Sequence, residues 1–310
     1  MSIAFIFPGQ GAQVTGMGKD FYQQTETGRN VFDKASELLG FSVPELCFEP
    51  NERLDLTEYT QAAMVTVGIA IMKVFMEKTG IHPDVTAGLS LGEYCALAAA
   101  GAMSEEDAVT AVRKRGILMQ QAVPAGIGGM SAVLGMEAQV IENVLADMED
   151  VQIANYNCPG QIVISGKKEA VELAGEKLKS AGAKRVIALN VSGPFHSPML
   201  TEAGRELGKF LEGVQIHPLK IPYVANVTAE YVTDANRVKG LLEKQVSHSV
   251  RWQQSIEAMV KNGVDTFIEI GPGKTLSGFM KKINRDVKTL NIEKIEDLER
   301  FCNSFDRSAH

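Results

Sequence analysis

The chain has 310 residues, of which 45% are hydrophobic, and it carries a formal net charge of −7. It is long enough to bury a globular core, and its acidity argues against general binding to the phosphates of nucleic acids. The four cysteines are scattered without a CxxC pair, which argues against a disulfide framework or a zinc site. No apolar run long enough to cross a membrane and no secretory leader is evident, so we expect a cytosolic protein.

The first third of the chain predicts alternating strands and helices. Residues 3–7 form an apolar run that stops at Pro8 and Gly9, which is typical of a buried parallel strand entering a loop. The elements expected next are helices at 26–40 and 60–79, a strand at 85–88, a helix at 91–100, and a helix that begins at Ser104. This alternation predicts an α/β fold with a largely parallel central sheet.

The segment 126–190 has a different pattern. It predicts the order strand, helix, strand, strand, helix, strand, which is ferredoxin-like. Further elements are expected as helices near 199–211, 237–247 and 252–262, strands near 221–226 and 266–270, and a basic, helix-prone tail. We therefore predict a large α/β-hydrolase-like domain, made of residues 1–125 and 191–310, with a small ferredoxin-like domain, residues 126–190, inserted into it.

The stretch GLSLG, residues 88–92, matches the pattern G-x-S-x-G. In that pattern the serine occupies a strained turn between a strand and a helix, and the glycines let neighbouring backbone approach. Ser90 is thus a candidate nucleophile, and the N–H of Leu91 at the helix start could stabilise an oxyanion. The alternative is a glycine-serine-glycine turn that serves packing alone.

A serine nucleophile needs a base, and the chain has five histidines. His196 lies in the segment VSGPFHSPM, where glycine and prolines restrict the loop, as is usual for a positioned general base. An ordinary surface-loop histidine is the alternative. No acidic residue is evident as a third member of a triad, and a backbone carbonyl could orient the imidazole instead.

Two further polar residues are candidates for ligand contacts. In FPGQGAQ, residues 7–13, the spacing does not fit a dinucleotide-binding loop, and Gln10 could donate to a ligand or belong to an ordinary turn. Arg115 falls on one helical stripe with Ala108, Val112 and Met119. A guanidinium on an apolar face suits either a bidentate carboxylate or a structural salt bridge.

The C-terminal stretch 274–288 is basic in an otherwise acidic chain. It carries Lys274, Lys281, Lys282, Arg285 and Lys288. These charges could meet an acidic partner or the phosphates of a nucleotide-bearing substrate, or they could form a solvated helix face.

Six motifs, in the same order and at comparable separations, resemble the malonyl-CoA:acyl carrier protein transacylase family. They are FPGQGAQ, GLSLGEY, the Arg115 helix, NYNCPGQIVISG, VSGPFHSPM and IEIGPGKTLSG, and together they span residues 3 to about 290. The resemblance includes the inserted small domain.

The resemblance implies a role for each matching residue. Ser90 would carry the acyl group, His196 would act as base and then acid, and the backbone carbonyl of Gln245 would orient the histidine. Gln10 and the Leu91 N–H would form the oxyanion hole. Arg115 would hold the malonyl carboxylate, and the positions that line the family's pocket are Gln61, Asn157 and Gln161.

One residue differs from the sequence motif that is commonest in the family. Where the family usually has Gly-His-Ser, this chain has Gly88, Leu89 and Ser90. The usual histidine is not the base, so the pair of Ser90 and His196 is intact, whereas packing below the turn and the polarity of the pocket change.

The implied activity is transfer of malonyl from malonyl-CoA to the phosphopantetheine thiol of acyl carrier protein, for fatty-acid synthesis. No cofactor or metal, no nucleic acid and no membrane is expected, and a monomer is the expected state. The alternatives are a serine hydrolase or thioesterase that uses the same serine and histidine, a trans-acting polyketide-synthase acyltransferase, and a carrier-binding module without catalysis.

Overall fold

The computed structural model describes residues 2–124, 126–191 and 193–306. The strands are β1 Ile3–Phe7, β2 Val85–Gly88, β3 Gly128–Leu134, β4 Val151–Cys158, β5 Gln161–Lys167, β6 Arg185–Ala188, β7 Tyr223–Val224, β8 Tyr231–Val232, β9 Thr266–Ile270 and β10 Lys288–Ile292. The helices are α1 Lys19–Gln24, α2 Glu26–Leu39, α3 Val43–Phe48, α4 Thr57–Thr79, α5 Gly92–Ala99, α6 Glu105–Gln121, α7 Ala138–Leu145, α8 Lys168–Ser180, α9 Thr201–Glu212, α10 Val238–Gln245, α11 Trp252–Lys261, α12 Thr275–Ile283 and α13 Ile295–Asp306.

A six-stranded sheet has the order β10-β9-β1-β2-β7-β8, and all of its pairs are parallel except β7 with β8. Helices cover both faces, which explains why β1 is apolar throughout. Phe5 and Phe7 pack into the core on the side of α2, α4 and α6, whereas Ala4 and Ile6 pack on the side of α11 and α12. The predicted α/β class with a largely parallel sheet is confirmed.

Helix α4 runs through the larger core. It is long and apolar enough to cross a membrane by length and composition, but 83% of its most apolar window is buried inside the protein. It ends at Gly80, which takes the left-handed conformation with φ of 65°. The helix is therefore part of the folded core.

The second sheet has four antiparallel strands in the order β4-β5-β3-β6. Its strands and the helices α7 and α8 follow the β-α-β-β-α-β order that the sequence predicts for 126–190. The two helices pack on one face of the sheet, where Ile141, Val171 and Leu178 are buried. Strand β4 also joins the rest of the chain through a bridge between Asn155 and Val250.

The C-terminal tail differs from the prediction. Helix α12 is present, but Lys288–Ile292 forms strand β10, which pairs with β9 at the edge of the larger sheet. An edge strand with one polar face lacks the continuous apolar run of a central parallel strand. The composition of this segment therefore favours the prediction of a helix. The strand predicted at 221–226 is also shorter, since β7 contains only Tyr223 and Val224.

Candidate active site

Ser90 lies on the sharp turn between β2 and α5, at the carboxyl edge of the larger sheet. Its φ is 53°, a left-handed conformation that is uncommon for a residue with a side chain. A side chain on Gly88 would put its Cβ 2.0 Å from the backbone of Gly92, and one on Gly92 would put it 2.4 Å from the carbonyl of Phe7. The glycines therefore allow the tight turn that raises Ser90 above the sheet.

His196 faces the Ser90 hydroxyl. The Ser90 Oγ lies 2.8 Å from the His196 Nε2, and the His196 Nδ1 lies 2.8 Å from the backbone carbonyl of Gln245. A carbonyl only accepts hydrogen bonds, so Nδ1 carries the proton of the neutral ring and Nε2 accepts from Ser90. This arrangement can remove the serine proton without an acidic third residue.

The imidazole is held in its neutral form. His196 is 3% exposed. Burial, and next the positive charge of Arg115, lower its pKa from 6.5 to about 3. His196 is thus unprotonated across the neutral pH range, and this is the form of the ring that can accept a proton.

Arg115 points from α6 into the same cluster and is 1% exposed. One terminal nitrogen donates to the Gln61 Oε1 at 2.6 Å, and the other donates to the Ser90 Oγ at 3.0 Å and to the Gln245 Oε1 at 2.9 Å. All three acceptors are neutral, and no carboxylate of the described residues forms an ion pair with this guanidinium. A buried cation whose hydrogen-bond partners are all neutral is suited to receive an anionic ligand.

The helical stripe predicted for Arg115 is present. Ala108, Val112 and Met119 are buried with Arg115, whereas Arg113 and Lys114 are partly exposed. Helix α6 begins after Ser104, whose hydroxyl accepts from the Asp107 N–H at 3.0 Å. This cap sets the phase that turns Arg115 inward.

The two predicted oxyanion donors flank the turn. Phe7 and Gly88 are partners in the β1-β2 register, so the loop that carries Gln10 and the turn that carries Ser90 leave the sheet side by side. The side-chain amide of Gln10 donates to the Thr57 Oγ1 at 3.1 Å. Among the described residues, the Leu91 N–H has no hydrogen-bond acceptor, which leaves it available to an oxyanion.

Two other predicted binding residues lie on the hairpin of β4 and β5, and none of their hydrogen bonds within the described residues reaches this cluster. Asn157 is 7% exposed, and its Oδ1 has no partner among the described residues. The Gln161 Oε1 accepts from the Lys282 Nζ at 3.3 Å. No group of metal-binding side chains occurs in the described ranges.

The sequence of this chain matches one family of known proteins. Residues 4–299 match the model described as "Acyl transferase domain". The malonyl CoA-acyl carrier protein transacylase of Bacillus subtilis is 48% identical over 302 residues, which are 96% of this chain and 95% of that protein. The chain belongs to the malonyl CoA-acyl carrier protein transacylase family.

Solved structures of transacylases have the same fold. The crystal structure of the Clostridium perfringens malonyl CoA-acyl carrier protein transacylase superposes with a TM-score of 0.96 at 44% identity, and the match covers 100% of this chain and 98% of that one. A malonyl-transacylase solved in complex with a type II PKS acyl-carrier protein matches with a TM-score of 0.93 at 37% identity, over 96% and 98% of the two chains.

Leu89 lies where the sequence resemblance leads us to expect a histidine. Its backbone N–H donates to the Phe7 carbonyl at 2.9 Å, and its side chain packs against the core on the side of α11 and α12. A side chain on Gly9 would put its Cβ 2.6 Å from the Leu89 Cδ2. Leu89 therefore fills the contact between the β1 loop and the Ser90 turn.

Three further residues support the site, and none of them is predicted from the sequence. The side chain of Asn226, after β7, accepts from the Ser90 N–H at 2.7 Å and donates to the Gly88 carbonyl at 2.6 Å. Glu93 is fully buried and accepts from the Gln245 Nε2 at 2.6 Å. Gln152, on β4, donates to the His196 carbonyl at 2.5 Å. Glu93 follows the GLSLG motif directly, which is the one hint that the sequence contains.

From the buried carboxyl of Glu93 we predict that the stability of the fold depends on pH. Burial raises the pKa of its carboxyl from 4.5 to about 7, against the opposing hydrogen bond from Gln245. The folded state therefore binds this proton more tightly than the unfolded state, so the associated stability is complete below pH 4.5 and is lost as the pH rises through 7. We expect the free energy of unfolding of wild type to fall by about 3 kcal/mol relative to Glu93→Gln between pH 4 and pH 8.

Denaturant unfolding, followed at the single tryptophan, Trp252, would measure this difference at each pH. The control is Glu106→Gln, which removes an exposed carboxylate from α6. A gap between wild type and Glu93→Gln that stays constant from pH 4 to pH 8 would contradict the raised pKa.

Proposed function

We propose that this chain is a malonyl-CoA:[acyl carrier protein] S-malonyltransferase that works through an acyl ester on Ser90. The observation that carries the proposal is the contact between a buried guanidinium and the candidate nucleophile, with Arg115 donating to the Ser90 Oγ at 3.0 Å. An enzyme that accepts any acyl group needs no buried cation at that point, whereas an acyl group that ends in a carboxylate does. The named relatives are transacylases of this specificity.

The first half-reaction loads the enzyme. His196 Nε2 takes the proton of the Ser90 hydroxyl, and the Ser90 Oγ attacks the thioester carbonyl of malonyl-CoA. Gln10 and the Leu91 N–H stabilise the oxyanion of the tetrahedral intermediate. The carbon–sulfur bond breaks, the thiolate of coenzyme A takes the proton from His196, and malonyl remains on Ser90 as an ester.

The second half-reaction transfers the group. His196 takes the proton of the phosphopantetheine thiol of acyl carrier protein, the sulfur attacks the ester carbonyl, and Ser90 recovers its proton as it leaves. A thioester and a serine ester differ little in free energy, so the transfer runs in both directions. The protein must therefore exclude water rather than overcome a large energy difference.

Arg115 selects the acyl group. The malonyl carboxylate takes two hydrogen bonds from the guanidinium and replaces neutral acceptors there. Gln61 holds one arm of the guanidinium at 2.6 Å, so the fork keeps its orientation. Asn157 and Gln161 extend the binding site along the hairpin of β4 and β5, where the unpaired Asn157 Oδ1 is available to substrate.

We also propose the domain organisation, the cofactor requirement, the location and the oligomeric state. Residues 1–125 and 191–310 form an α/β-hydrolase-like catalytic domain, and 126–190 form the inserted ferredoxin-like domain. The chemistry uses no cofactor, and the protein acts in the cytosol as a monomer. The basic stretch 274–288 spans α12, the connection that follows it and the first residue of β10.

A second candidate is supply of malonyl to a polyketide carrier. It is favoured by one relative, which was solved with a type II PKS acyl-carrier protein as its partner. Both readings share the Ser90 ester and differ in the acceptor. Transfer to each kind of carrier, measured with the same loaded enzyme, separates them.

The test of the proposal compares transfer with hydrolysis. Enzyme loaded from malonyl-CoA is divided between buffer and buffer that contains carrier protein with its phosphopantetheine arm, and intact mass follows the adduct on the enzyme and on the carrier. We expect the malonyl group to move to the carrier far faster than it is lost to water. Equal rates of loss with and without the carrier would identify a hydrolase instead.

A further inference from the structure

His196 has an unusual backbone conformation for a catalytic base. Its φ is 57°, in the left-handed region, which costs free energy for a residue with a side chain. Such a conformation persists only where surrounding contacts hold it. The two contacts of its ring, with Ser90 and with the Gln245 carbonyl, fix the imidazole but not the peptide group that carries it.

The peptide group is held from the second sheet. The side-chain amide of Gln152, on β4, donates to the His196 carbonyl at 2.5 Å and to the Ser247 carbonyl at 3.4 Å. Ser247 lies two residues beyond Gln245, whose own carbonyl orients the imidazole. A single amide thus ties the backbone of the base to the segment that orients the base.

Strand β4 is itself fixed to that segment. The Tyr156 N–H donates to the Val250 carbonyl at 2.9 Å, the Val250 N–H donates to the Ala154 carbonyl at 2.8 Å, and the Ser249 hydroxyl donates to the Ile153 carbonyl at 2.5 Å. Gln152 therefore projects from a strand with little freedom to move relative to residues 247–250. Its amide is presented to the His196 loop by a rigid support.

We propose that Gln152 is a positioning residue for acyl transfer, which sets the orientation of His196 toward Ser90 and makes the second sheet a structural part of the base. The proposal rests on the proposed function. Gln152 touches neither Ser90 nor Arg115 in any of its hydrogen bonds, so its removal should slow the chemical steps and leave the binding of malonyl-CoA nearly unchanged. Misplacing a catalytic group by about 1 Å costs on the order of a hundredfold in rate.

Two variants test this role. Gln152→Met keeps the length of the side chain and removes the donor, and Gln152→Asn keeps an amide that is one methylene too short to reach both carbonyls. Gln139→Met is the matched control, because Gln139 is an exposed glutamine on α7, which packs against the same sheet. Folding of each variant is checked by the circular dichroism of the native state, and rates are expressed per folded molecule.

Two rates are measured for each protein. One is the formation of the malonyl adduct as a function of malonyl-CoA concentration, and the other is the labelling of Ser90 by an uncharged fluorophosphonate as a function of pH. For both Gln152 variants we expect the maximal adduct rate and the labelling rate to fall at least about tenfold. The half-saturating concentration of malonyl-CoA should change less than about twofold, because Gln152 makes no hydrogen bond to Arg115 or to a side chain that Arg115 contacts.

Three outcomes would overturn the proposal, and a fourth would overturn the proposed function instead. Wild-type rates in either folded Gln152 variant would overturn the proposal. A fall of both rates in Gln139→Met as large as that in the Gln152 variants would overturn it too. A rise in the half-saturating concentration of malonyl-CoA with no fall in the maximal adduct rate would also overturn it, since that result assigns Gln152 to substrate binding. If wild type is labelled by the fluorophosphonate but forms no malonyl adduct, the proposed function fails, and the labelling rates still decide the role of Gln152.

Discussion

Ser90→Ala is expected to abolish the malonyl adduct and to lower transfer to carrier protein by about four to six orders of magnitude. The variant lacks the oxygen that forms the ester, and no other hydroxyl among the described residues hydrogen-bonds to the His196 Nε2. The fold should persist, because the substitution removes one partly buried oxygen and leaves the turn in place. Intact mass after mixing with malonyl-CoA measures the adduct, and a carrier assay measures the transfer.

A second buried serine provides the control for this variant. Ser255 is 1% exposed, and its hydroxyl donates to the carbonyl of Arg251, the residue before α11, so Ser255→Ala makes the same chemical change away from the site. It should form the adduct at the wild-type rate. A malonyl adduct that survives Ser90→Ala would show that another residue is the nucleophile. A wild-type protein without any adduct would favour the non-catalytic carrier-binding module.

The pair of Ser90 and His196 could be predicted because each residue carries a local signal. GLSLG prescribes a turn between a strand and a helix whatever the rest of the fold does, and the glycine and prolines around His196 restrict its loop. Arg115 could be predicted because the Ser104 cap fixes the phase of α6. Each of these inferences needs only residues that are close together in the chain.

The supports of the site could not be predicted, because their contacts join distant parts of the chain. Asn226 binds Ser90 across 136 positions, and Gln245 binds Glu93 across 152. No periodicity or turn chemistry in one segment specifies a partner so far away. Because glutamates are usually exposed, the burial of Glu93 could not be predicted without knowledge of its neighbours.

Strand β10 shows the same limit in the fold. Its side chains are exposed or partly buried except for Ile292, so the segment has no apolar run by which to recognise a strand. It becomes a strand because β9 offers it an unpaired edge of a parallel sheet. That edge exists only after the chain has folded, and tertiary pairing then overrides local propensity.

Arg115→Ala is expected to lower the rate of malonyl loading relative to acetyl loading by roughly a hundredfold, which corresponds to about 3 kcal/mol. The wild-type guanidinium is buried and pairs with neutral oxygens, so it gains a charged partner from malonyl and nothing from acetyl. Without it, the malonyl carboxylate loses contact with water beside neutral polar side chains and has no cation to pair with. Malonyl loading therefore loses its advantage, whereas acetyl loading loses the support that Arg115 gives to Ser90 and Gln245.

The ratio of the two loading rates is the informative measurement, because Arg115 also contacts the nucleophile and its removal affects both substrates. Arg113→Ala is the matched control, since Arg113 lies two residues away on α6 and is directed to Glu58 and the Tyr59 ring. It should leave the ratio unchanged. Arg115→Lys should recover only part of the ratio, because an ammonium group keeps the charge and loses the planar fork. Equal losses of malonyl and acetyl loading in Arg115→Ala would assign Arg115 to the support of Ser90 alone, and specificity for a carboxylate would then need another source.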